Sequence, residues 1–140
     1  MPGLAITTDP NLINPWGISN SPTCPYWISD QRTGKATLSN GAGTPTALRG
    51  VVPAVGIRSG PTGAVFNNAT SFLVSGVASN FIFATLDGTI AARASGSTAV
   101  TEVTITGADF TGLALANNGT GNVLYGADFV SGDTRGRLSG

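Results

Sequence analysis

The 140-residue chain contains no histidine. That absence removes Ser-His-Asp and Cys-His catalysis, histidine-ligated metal centres and the commonest general base at neutral pH. A single cysteine, Cys24, excludes an internal disulfide and a cysteine-rich zinc site, and leaves the redox compartment open. With no histidine or cation cluster to activate it, Cys24 reads as a loop thiol beside Pro25. Charge is scarce and balanced: seven basic and seven acidic residues, 10% of the chain, where roughly 25% is usual. Lys35 is the one lysine and the arginines are scattered. No basic patch exists to release counterions from nucleic acid or to sit on an anionic membrane. No apolar run approaches the ~20 residues of a membrane span. The opening MPGLAITTDPN lacks the basic-then-apolar plan of a signal peptide. Neither a G-x-S-x-G elbow nor a Walker sequence occurs, and NGAGTPT (40–46) has neither the spacing nor the lysine of a phosphate cradle. Helical periodicity is missing as well, because Gly, Pro or clustered β-branched residues interrupt every long window.

What the chain does have is short apolar runs and turn residues. Leu, Ile, Val and Phe total 34, and Gly with Pro total 28, spread as punctuation between the runs. Ten strand-length segments recur: WGIS, YWISD, KATLS, GAVF, SFLVS, NFIFAT, GTIAAR, VTEVTI, TGLALA and NVLYGAD. Clusters of Asn, Gly, Pro, Ser and Thr separate them, which predicts an antiparallel all-β fold. Asn68-Ala69-Thr70 and Asn118-Gly119-Thr120 match the glycosylation pattern, a weak signal in so Asn- and Thr-rich a chain.

The segments repeat. PWGIS (15–19), PTGAV (61–65) and FTGLA (110–114) each put a glycine at the head of a strand, 46 and then 49 residues apart. Each is followed by a strand with an aromatic residue that leads to an aspartate: Asp30, Asp87 or Asp128. A period in the forties with several strands per unit predicts β-propeller-type blades, approximately 15–60, 61–109 and 110–140, the last incomplete. The glycine suits inner strands that crowd around an axis. About two and a half blades make an incomplete propeller, since closed ones have roughly four to eight. Such an arc is a piece of a longer protein, or completes itself by self-association through open sheet edges, or forms a small open stack. The first is the leading expectation.

DPNLINPWGIS (9–19), then YWISD (26–30) and TGKATLSNGAGTP (33–45), resemble an uncharacterised family of bacterial secreted or surface β-propellers. That family opens on a DPNLxNPWG phrase, and some members carry PEP-CTERM sorting tails. PTGAVFN (61–67), FIFATLDGTI (81–90) and GLALANNGTGNVLYGADF (112–129) continue the resemblance in order, with more distant similarity to NHL and YncE-like propellers. Arg93 stands where the family carries an aromatic, Ser39 where it carries a tyrosine, and the tail after Phe129 loses the β pattern. The resemblance implies a propeller fold, an N-terminal piece of a longer chain, and an extracellular or cell-surface location. It implies no chemistry.

Two constellations offer a site. The repeated Asp30, Asp87 and Asp128 cap the turns that follow their strands or, facing a channel, form a ring of oxygen ligands for a hard cation. Trp16, with its repeat equivalents Thr62 and Thr111, offers a platform for a carbohydrate or peptide at one mouth of the propeller. Tyr26 and Trp27 read as packing between blades, which is the alternative for Trp16 too. The leading expectation is a non-catalytic scaffold or binding module with no resident cofactor, no nucleic-acid partner and no membrane span. A calcium-dependent hydrolase or lactonase-like propeller and a self-assembling subunit are the alternatives.

Overall fold

The computed structural model describes residues 7–23, 25–54 and 59–129, with the backbone of 137–139. Cys24, the first six residues and 130–136 lie outside the described residues, and so do the readings of the loop thiol and the opening segment. The chain is all-β and its sheets are antiparallel; among the described residues there is no helix.

The first sheet is a meander of β1 (Pro15–Ser19), β2 (Tyr26–Asp30), β3 (Lys35–Ser39) and β4 (Pro45–Val51), in that order. The second runs β5 (Pro61–Phe66), then β8 (Phe81–Thr85), β9 (Thr89–Arg93) and β10 (Val100–Thr104). Between β5 and β8 the chain detours through a small hairpin, β6 (Leu73–Val74) and β7 (Val77–Ala78). The third sheet is β11 (Phe110–Asn117), β12 (Asn122–Asp128) and β13 (Arg137–Ser139). Every glycine-led phrase therefore opens the edge strand of its sheet, and β5 lies alongside β1 on one side and β11 on the other.

The sequence reading misses β4, β7 and β13. The PTALRGV stretch of β4 reads as a loop because it holds Pro, Gly and Arg and buries only Gly50 fully, so no clean alternation marks it. After Phe129 no strand is expected, yet β13 pairs with β12 at Gly126↔Ser139 and Asp128↔Arg137. Of the SFLVS segment only Leu73–Val74 is strand.

The middle sheet is apolar on both faces, which is why FIFAT reads as a continuous run rather than an alternating one. One face packs on the first sheet: Phe81 and Phe83 meet Trp27 with ring centroids 4.9 and 6.0 Å apart. Ala36, Leu38 and Val52 fill in around them. The other face, Ile82, Ala84, Ile90 and Ala92, packs on Phe110, Leu113 and Leu124 of the third sheet. Each fully buried large apolar side chain contributes roughly 1.5–3 kcal/mol relative to exposure. Junctions this close leave no room for a side chain at Gly17 or Gly63. A Cβ on Gly17 would collide with the Thr62 carbonyl, and one on Gly63 would lie 2.6 Å from the Leu113 Cβ.

The outer edges of the first two sheets are tied together. Val51 donates its N–H to the Ser97 carbonyl at 2.7 Å and accepts from the Ala99 N–H at 2.9 Å. On the far face of the first sheet, residues 7–14 form a strap. Asp9 pairs with Arg49 at 3.2 Å, and Lys35 Nζ donates to Asn11 Oδ1 at 3.0 Å.

Candidate functional site

Three equivalent tripeptides, Trp16–Ile18, Thr62–Ala64 and Thr111–Leu113, line one cavity of about 300 Å³. Its walls are the edge strands β1, β5 and β11, each with a row of backbone N–H and C=O groups that has no ladder partner on that side. A bulge interrupts the pairing at the same place in each strand, at Pro15/Ile18, Pro61/Gly63 and Phe110/Gly112. The bulge re-aims the residue before the glycine, which is how Trp16, Thr62 and Thr111 come to share one cavity.

The three side chains differ in what they leave free. Trp16 is 46% exposed, and Thr62 is 1% exposed. The Thr62 hydroxyl is directed at the carbonyls of Ala84 and Phe110, stapling the second sheet to the third. Ser29 Oγ does the same one junction earlier, donating to the Gly63 carbonyl at 3.3 Å. The Thr111 hydroxyl donates to Ala127 of its own sheet at 3.2 Å. Trp16 is therefore the side chain left most exposed at the cavity, Thr111 is a polar lip, and Thr62 contributes backbone while its hydroxyl holds the wall.

The aspartates do not form a ring. By strand register the counterpart of Asp30 (opposite Pro15) and Asp128 (opposite Phe110) is Thr85 (opposite Pro61), so Asp87 lies two residues beyond the shared position. Asp87 Oδ1 caps its turn, accepting from Thr85 Oγ1 and from the Thr89 N–H at 3.1 Å. Asp128 Oδ1 accepts from the Asp109 N–H at 2.9 Å, joining strand end to strand start. Asp30 is fully buried, and its Oδ2 accepts from the Thr37 N–H at 3.0 Å. Burial pushes the Asp30 carboxyl up to about 6, against the lowering effect of the hydrogen bond it accepts from the Thr37 N–H. Among the described residues, Asp30 Oδ1 and Thr37 Oγ1 have no hydrogen-bond partner. Asp9, by contrast, is held below the usual carboxylate range, chiefly by the Asn11 backbone N–H, with Arg49 adding to it. Among the described residues no group of three or more Asp, Glu, His or Cys side chains is arranged to hold a metal ion.

Sequence reasoning overlooks three features around these residues. Ile18, Ala64 and Leu113 also line the cavity, and the glycine-apolar phrase that marks them was read only for its glycine. Arg93 places its guanidinium 4.7 Å from the centre of the Trp27 ring, stacking on it as a cation–π pair. The buried Asp30–Thr37 pair has no signal in sequence, because only the strap of residues 7–14 closes it off. Compared with known protein families, curated proteins and solved structures, the chain matches none.

Proposed function

We propose that the chain is a propeller-type binding module of an exported bacterial protein, and that the cavity between β1, β5 and β11 holds its ligand. The three sheets are then successive blades, β1, β5 and β11 their inner strands, and the cavity the axial mouth. One observation carries the reading: three tripeptides at equivalent repeat positions converge on one cavity with an exposed tryptophan at its rim. An indole face beside edge-strand backbone with no ladder partner suits a sugar ring or an extended peptide, which offer apolar faces and hydrogen-bonding edges together.

Tryptophan emission tests this, because Trp27 is 2% exposed and the accessible signal belongs to Trp16. Titration with a panel of soluble oligosaccharides and short peptides should give a saturable emission shift for at least one of them. The shift should vanish in Trp16→Ala, and Thr111→Val should weaken binding by roughly fivefold to tenfold, the worth of about one hydrogen bond. Binding that survives Trp16→Ala unchanged would move the site elsewhere.

A further inference from the structure

Both ends of the stack of sheets carry faces built like the buried ones. The strand registers make Trp27, Ile82 and Tyr125 equivalent, opposite Ser19, Val65 and Ala114 in turn. Trp27 is covered by the second sheet and Ile82 by the third, at 2% and 1% exposure. On the third sheet the same face, with Gly112, Ala114, Ala116, Val123, Tyr125 and Ala127, has no following sheet among the described residues, and its alanines are exposed. Gly112 shows the vacancy most directly. Gly17 and Gly63 are each crowded by the backbone of the next edge strand, whereas a Cβ on Gly112 would meet only Ala127 of its own sheet, at 3.7 Å.

The opposite end mirrors this. Ala64, Phe83 and Phe81 face back onto the first sheet, and their register equivalents on the first sheet are Ile18, Ile28 and Tyr26. These stay apolar although Ile18 is 61% and Tyr26 40% exposed. The strap of residues 7–14 is anchored on β3 and β4 through Lys35 and Arg49. Asn14 also ties the strap to Gln31 at the end of β2, so what stays open for a partner is the part of that face carrying Ile18 and Tyr26.

We propose that a second copy of the chain stacks head to tail on the first, the back of its first sheet against the open face of the partner's third. The contact repeats the junction made twice inside the chain, so one established geometry supplies all of them. An edge-to-edge pairing fits less well, because the outer edge at Val51 is already bridged to residues 97–99. Two copies bring six sheets around one axis, within the roughly four to eight blades of closed propellers. Heterologous contacts of this kind close into rings when the rotation allows. The proposal rests on the propeller reading, and it completes the cavity by setting a second copy of Trp16 beside Thr111.

Sedimentation across a micromolar concentration series, with no ligand added, tests it. The wild-type chain should dimerise. Ala114→Glu spoils the open face and Tyr26→Glu the back face, so each variant alone should be monomeric. Mixed, they should form an equimolar heterodimer, since each retains the face the other lacks. Neither residue lines the cavity, so oligosaccharide or peptide titration of either monomer reports on the binding reading separately. Circular dichroism checks that each variant folds, and Tyr125→Lys with Ile28→Lys is the second pair. A wild-type chain that remains monomeric, a variant that associates by itself, or a mixture that stays monomeric overturns the proposal.

Discussion

Asp30 is the residue whose chemistry and position most conflict. Its carboxyl is fully buried, one oxygen takes the Thr37 N–H, and the other makes no hydrogen bond among the described residues. The fold therefore favours the protonated form, with a folded pKa of about 6 against 3.8 for the free side chain. A raised acid pKa contributes stability that is fully present below the unfolded value and is lost as pH rises through the folded one. Stability should thus fall between about pH 4 and pH 7, by up to ~3 kcal/mol. Asp30→Asn keeps an acceptor for Thr37 and removes the charge. Urea titrations should show a flatter pH profile for the variant and a higher midpoint than wild type above neutrality. A wild-type profile that is level across that window would refute the account. Little of this was readable in advance. The three aspartates look alike in sequence, yet one caps a turn, one joins two strands and one is buried, because tertiary cover, which no local pattern encodes, sets each environment. The two tryptophans diverge for the same reason: Trp27 faces the next sheet and Trp16 faces the cavity.

The edge strand with its bulge and glycine is the repeating element, and here sequence was a good guide. A glycine at one place in three phrases implied a close approach, and backbone or Cβ atoms of the neighbouring strand lie where Cβ atoms would go at Gly17 and Gly63. Gly63→Ala should cost about 1–3 kcal/mol by forcing β5 and β11 apart. Gly41→Ala, where the added methyl meets nothing within 4 Å, should change stability by less than ~0.5 kcal/mol. Denaturation midpoints of the two variants measure the contrast. The outer strands were harder to read. β10 is exposed along its whole length and β4 is exposed or half-buried at all but one residue, so the alternation that reveals a half-buried strand is weak in β4, and only the Val and Thr content betrays β10.

At the scale of the whole molecule, the middle sheet supplies both apolar junctions. Phe81 belongs to one and its neighbour Ile82 to the other. Phe81→Ala should cost about 3–5 kcal/mol and Ile82→Ala about 2–5. Against a typical total of about 5–15 kcal/mol, the double variant should be largely unfolded by circular dichroism. The all-β, antiparallel organisation was legible because strand-length runs and turn chemistry are written locally. What covers the outermost faces was not, since an apolar residue reads the same whether its partner lies in the same chain or another.

The two-sided burial of β8 also bears on the order in which the chain assembles. A sheet that must bury both faces gains little by forming alone, so β5, β8 and β9 become worth ordering only as a neighbour arrives. The hairpins of the first and third sheets are local and close quickly, whereas β5 must wait for β8 across the intervening β6–β7 detour. The slow step is then the closing of the central sheet between two half-formed flanks. Once it is shut, the β8 amides are the last to meet solvent, exchanging only when the entire molecule opens.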